Sequence, residues 1–122
     1  MAKFFIVFIG AGFGGSLRYY VSALFYRIFP VLFPVGTLAV NFLGSFLLGL
    51  LIYGFDEREL ISSNMKLLLG VGFCGGFTTF STFSLETLNL LKESQFLLGG
   101  LNILLNVAVS LIGVYTAYIL TR

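Results

Sequence analysis

Residues 70–86 read GVGFCGGFTTFSTFSLE: a glycine pair, then five hydroxyl residues within seven positions (Thr78, Thr79, Ser81, Thr82, Ser84) with Phe80 and Phe83 set among them. The stretch lies inside an apolar run from Met65 to Leu91. As a helix that run would be ~40 Å long at 1.5 Å per residue, more than a hydrocarbon core of ~30 Å requires. Gly72, Gly75 and Gly76 weaken its middle, because glycine loses most backbone entropy in a helix. Thr78 and Thr79 are suitable caps for a new helix. The reading is two half-helices with a break near residues 75–79. Broken backbone within a bilayer must be buried in protein or line a wet cavity. In transporters such breaks are ion sites, with carbonyls turned to a cation and helix N-termini turned to an anion. The alternative is that glycine and hydroxyl residues only let helices approach each other closely.

The rest of the chain supports a lipid solvent. Of its 122 residues 58% are hydrophobic and 10% charged, and the mean hydropathy is +1.04. A soluble domain of this size needs far more charge to cover its surface. Four unbroken apolar blocks, roughly 4–29, 34–55, 65–91 and 96–120, each reach the ~20 residues of a membrane-spanning helix. The fold class is therefore an all-α membrane protein, one transmembrane domain over residues 1–122 with four spans and a broken third. "DERE" at 56–59 and "KESQ" at 92–95 separate spans, and Pro34 suits the start of the second. The opening "MAKFFIVFIGAGFG" has the makings of a secretory signal, but three further spans follow it.

Composition also excludes chemistry. There is no histidine, and Cys74 is the single cysteine, so no metal-ligand cluster or intrachain disulfide is predicted. "GAGFGG" at 10–15 follows no soluble strand, and inside a span it serves close helix packing. Nothing resembles a catalytic constellation, so the chain is not read as an enzyme, and no nucleic-acid partner is expected.

With four spans, the termini and the second loop share one side of the membrane. That side carries Lys3, Arg58, Lys66 and Arg122, and the other Arg18, Arg27 and Lys92. An excess of basic residues sets orientation, and four against three is barely an excess. A chain so balanced can insert both ways, and two copies could then pair antiparallel, as inverted repeats do in larger transporters. Phe80 and Phe83, three apart, share a helix face, with Thr79, Thr82 and Glu86 on a neighbouring one. An aromatic ring has a positive edge, which can meet a small anion without a full charge. In the fourth span Asn102, Asn106 and Ser110 recur every four residues and share a face.

"GGFTTFSTFSLE" at 75–86, "GGSLRYY" at 14–20 and "GTLAVNFLGSFLLG" at 36–49 together resemble the CrcB/Fluc family of fluoride channels, in order and over essentially the whole chain. The resemblance implies a passive, fluoride-selective channel of the inner (plasma) membrane that exports toxic cytoplasmic fluoride. It implies an antiparallel dual-topology homodimer with two pores and a structural sodium ion at its centre. Carried over by motif position, Phe80 and Phe83 line the pore and Asn41 is its asparagine. Ser81 and Thr82 belong to a polar track, and Ser110 contributes from the fourth span. Arg18 stands near the vestibule, and the carbonyls of Gly75 and Thr78 hold sodium. Two other classes share the length and span number. A proton-coupled drug exporter needs a titratable acid in the membrane, and the first span has none. A non-transporting assembly subunit would use the same small residues for packing alone.

Overall fold

The computed structural model describes residues 1–122 and is helical throughout, without strands. Helix α1 covers Ala2–Ile28 and α2 Val35–Asp56. A third span, Ser63–Lys92, is divided into α3 (residues 63–77) and α4 (Ser81–Lys92). Helix α5 covers Phe96–Thr121. All four spans are long and apolar enough to cross a membrane, and their ends fall within two residues of the sequence-derived boundaries. Pro34 stands immediately before α2, and the Ser62 hydroxyl caps α3 by accepting from the Met65 amide at 3.1 Å. Lys66 pairs with Asp56 at 3.0 Å and Arg58 donates to the Thr121 carbonyl. These contacts gather the end of α2, the start of α3 and the end of α5 on one side, as four spans require.

The bundle is held by glycines at helix contacts. Helix α1 packs on α3 and α2 packs on α5. A Cβ built on Gly14 would lie 2.1 Å from the Phe73 carbonyl oxygen, and one on Gly72 would lie 2.9 Å from that of Val7. Across the other pair, a Cβ on Gly49 would meet the Ala117 methyl at 2.7 Å. Lipid tails are as apolar as leucine, so backbone proximity of this kind, rather than a hydrophobic drive, brings spans together. Gly14→Ala is expected to push α1 off α3 and lower thermal stability in detergent by about 1–3 kcal/mol, the usual cost of overpacking. A melting curve unchanged from the native protein would mean that the two helices are not locked there.

Position and cause of the interruption differ from the sequence reading. Gly72, Gly75 and Gly76 are all helical, and Gly72 and Gly76 lie against α1: a Cβ on Gly76 would lie 2.6 Å from the Ala11 carbonyl oxygen. The backbone leaves the helix at Thr78, with φ −83° and ψ 159°, and helix resumes at Ser81. Gly72 and Gly76 thus fix α3 against its neighbour, and the non-helical residues are 78–80. Before them, Leu67–Cys74 form wider π-helical turns, as do Leu50–Asp56 at the end of α2.

Candidate functional site

Thr78 is pinned first. Its amide and its hydroxyl both donate to the Cys74 carbonyl, at 3.0 and 2.9 Å. That fixes its side chain so that Cγ2 lies where a Cβ on Gly44 would fall, 2.2 Å away. Gly44 is therefore the seat in α2 on which the interruption rests. Asn41, one turn earlier on α2, clamps the next residue at two points. The Thr79 amide donates to Asn41 Oδ1 at 2.8 Å and Asn41 Nδ2 donates back to the Thr79 carbonyl at 3.1 Å. The second Nδ2 proton goes to Asn106 Oδ1 on α5, at 2.9 Å. Thr79 Oγ1 accepts from the Thr82 amide at 3.2 Å and lies 3.4 Å from Ser81 Oγ. A buried peptide group in lipid must be satisfied by its neighbours, and these side chains satisfy the peptide of Thr79.

Other groups at the interruption stay open. The carbonyls of Gly75 and Thr78 accept no hydrogen bond, and the amides of Phe80 and Phe83 donate none. Between them the Gly76 carbonyl is taken by Arg18 Nε at 3.0 Å, so the one arginine within α1's interior offsets the negative end of α3.

A cavity of about 460 Å³ opens against this stretch. Asn41 and Ser45 line it from α2, Asn106 and Ser110 from α5, and Gly75, Thr78, Phe80 and Phe83 from the third span. No charged side chain lines it. The two rings meet edge to face, with centroids 5.2 Å apart and an interplanar angle of 65°. Phe83 is 7% exposed and Phe80 76%.

Of the residues singled out from the sequence, Asn41, Phe80, Phe83, Ser110, Gly75 and Thr78 come together at this cavity. Ser81 and Thr82 do not line it; their groups gather about Thr79 instead. Arg18 is on the α1 side of the interruption, bound to Gly76. Ser45 went unnoticed, although it lies four residues after Asn41 and so on the same face of α2. Asn102 is fully buried behind the cavity and bonded to Asn106. Glu86 lies apart, accepting from the Tyr26 hydroxyl, beside a separate cavity of about 300 Å³.

Four apolar spans, one of them interrupted, define a small multi-pass helical membrane protein with an uncharged cavity at the interruption, largely apolar in surface and set with the polar side chains of Asn41, Ser45, Asn106 and Ser110. The family described as "CrcB-like protein, Camphor Resistance (CrcB)" matches residues 5–118. A protein of Pyrococcus abyssi named "Fluoride-specific ion channel FluC" is 46% identical over 96% of this chain and 94% of its own length. Proteins of the same name in Coxiella burnetii (strain CbuK_Q154) and Shewanella sp. (strain ANA-3) are 43% and 44% identical, over 96% and 94% of the chain and 95% and 92% of their own lengths. The chain belongs to the CrcB family, and it is a multi-pass protein of the cell membrane.

Proposed function

We propose that the chain is a passive, fluoride-selective channel that lets toxic fluoride leave the cytoplasm across the plasma membrane, and not an enzyme. The observation that carries this reading is the cavity at residues 78–80, lined by Phe80 and Phe83, whose amides have no backbone partner, by Ser45 and Ser110, and by no charged side chain. Fluoride is small and tightly hydrated, so its water must be replaced by contacts of similar strength. The free amides of Phe80 and Phe83, the hydroxyls of Ser45 and Ser110 and the positive ring edges are neutral partners of that kind. A lysine or arginine at the narrowest point would bind too tightly for release, since conduction needs weak, multiple sites. Arg18 serves by its charge at a distance, enriching the anion near the entrance. Ser81 and Thr82, beside Thr79, extend the hydroxyl track past the rings.

One copy does not enclose this path. Phe80, which lines the cavity, is largely exposed in one copy, which supports closure of the path by a second copy. The near-even basic residues favour an antiparallel dual-topology homodimer, whose two-fold symmetry gives two pores. The carbonyls of Gly75 and Thr78 fit a structural sodium ion at the dimer centre. They are hard oxygen donors without another partner, and an antiparallel pair brings two such sets together. Bound there, the ion supplies positive charge to carbonyls that lipid would leave unsatisfied.

Purified protein in liposomes, followed with fluoride and chloride electrodes, tests the reading. Fast fluoride efflux without chloride efflux and without a proton gradient is expected. Efflux that needs a proton gradient would make it an exchanger, and no efflux would make it a non-transporting subunit.

A further inference from the structure

Four buried side chains join α2, α5 and α4 in one line. Asn41 Nδ2 donates to Asn106 Oδ1 and Asn106 Nδ2 to Asn102 Oδ1, both at 2.9 Å. Asn102 Nδ2 then donates to Thr87 Oγ1 at 2.9 Å, and Thr87 Oγ1 to the Phe83 carbonyl at 2.8 Å. Exposure is 8%, 4%, 0% and 7% for Asn41, Asn106, Asn102 and Thr87, so the four side chains are buried. The direction is not free. At one end the peptide of Thr79 fixes which way Asn41 faces, in the middle Asn106 also donates to the Asn102 carbonyl at 2.9 Å, and at the other end Thr87 meets a carbonyl, which can only accept. Both Nδ2 protons of Asn41 and of Asn106 are therefore engaged, and neither side chain has a donor left for an anion.

We infer that Asn106, Asn102 and Thr87 are positioning residues of the ion path: a hydrogen-bond ladder that sets the backbone at Thr79 through Asn41 and at Phe83 through Thr87, and so fixes the two rings across the gap. The inference rests on the channel reading and adds to it. The sequence places 102, 106 and 110 on one face as equals; the structure sends Ser110 to the cavity and turns Asn102 away from it into the ladder, with Asn106 lining the cavity while its protons point along the chain. Because buried hydrogen bonds in a chain reinforce one another, cutting one rung loosens both ends.

The test uses the full-length protein in liposomes, after native protein has been found to pass fluoride; a native protein that passes none removes the channel reading itself. Thr87→Val keeps size and removes the last rung. It is expected to elute as the native assembly, to slow fluoride efflux by about tenfold and to narrow fluoride discrimination against chloride, as coupled network residues do. Thr87→Ser, which keeps the hydroxyl, is expected to restore both. Asn106→Leu should do at least as much harm, and the Thr87→Val/Asn106→Leu pair should lose less than the product of the two. Native rate and discrimination in Thr87→Val would overturn the inference, as would a Thr87→Ser as impaired as Thr87→Val, or losses in the pair that multiply as independent sites do. If Asn106→Leu fails to assemble, the comparison of Thr87→Val with Thr87→Ser decides.

Discussion

Replacing Asn41 with aspartate is expected to abolish fluoride efflux. The Asn41 amide faces two acceptors, the Thr79 carbonyl and Asn106 Oδ1, and one donor, the Thr79 amide. A carboxylate could keep only the last. Both acceptors would confront a negative oxygen at a site 8% exposed, and a buried charge with no opposite charge beside it costs about 3–5 kcal/mol. The consequence is loss of the two-point clamp on Thr79, and a fixed negative charge on the wall repels whatever anion still arrives. Asn41→Ala removes the same bonds but adds no charge, so it should retain more efflux and more assembled protein than Asn41→Asp. Electrode-recorded efflux and gel-filtration yield for the two variants give the order directly. Native efflux in Asn41→Asp, or alanine worse than aspartate, would mean that the clamp does not govern conduction.

What could be read from the residues alone follows from which interactions are local. The four spans come from unbroken apolar length, which lipid thickness translates into helix ends. An interruption in the third span was legible because Gly75 and Gly76 stand one residue, Phe77, before Thr78 and Thr79. Its position was not, since Gly76 packs within the helix against α1, some sixty positions away: a Cβ on Gly76 would strike Ala11. Sequence spacing cannot report a neighbour in another span. The same limit hid the role of Gly44, which accommodates the methyl of Thr78, and of Asn106, whose partner Asn41 lies in another helix. Spacing by four did place Asn102, Asn106 and Ser110 on one face; that face turned out to be partly cavity wall and partly buried ladder. The π-helical turns at Leu67–Cys74 had no signal beyond a low helix preference at Gly70 and Gly72.

Phe83→Ile and Phe80→Ile separate the chemistry of the ring from its bulk. Isoleucine is apolar and fills much of the space but has no positive edge to offer an anion. Phe80 is mostly exposed in one copy, so its replacement should change folding little. Phe83 is 7% exposed and packs edge to face on Phe80 at 5.2 Å, so its replacement should cost about 1–3 kcal/mol of stability and still leave an assembled protein. Conduction is expected to respond far more strongly. An ion that has shed its water beside an aliphatic wall lacks a compensating contact, and an uncompensated ion in such surroundings carries a penalty of several kcal/mol. At about 4 kcal/mol per ring, efflux falls by about a thousandfold in each variant. The assay is liposome fluoride efflux on protein that elutes as the native assembly, which removes misfolding as the cause. If both isoleucine variants pass fluoride at the native rate, the rings are packing residues only, and the amides of Phe80 and Phe83 with the hydroxyls of Ser45 and Ser110 must strip the ion unaided.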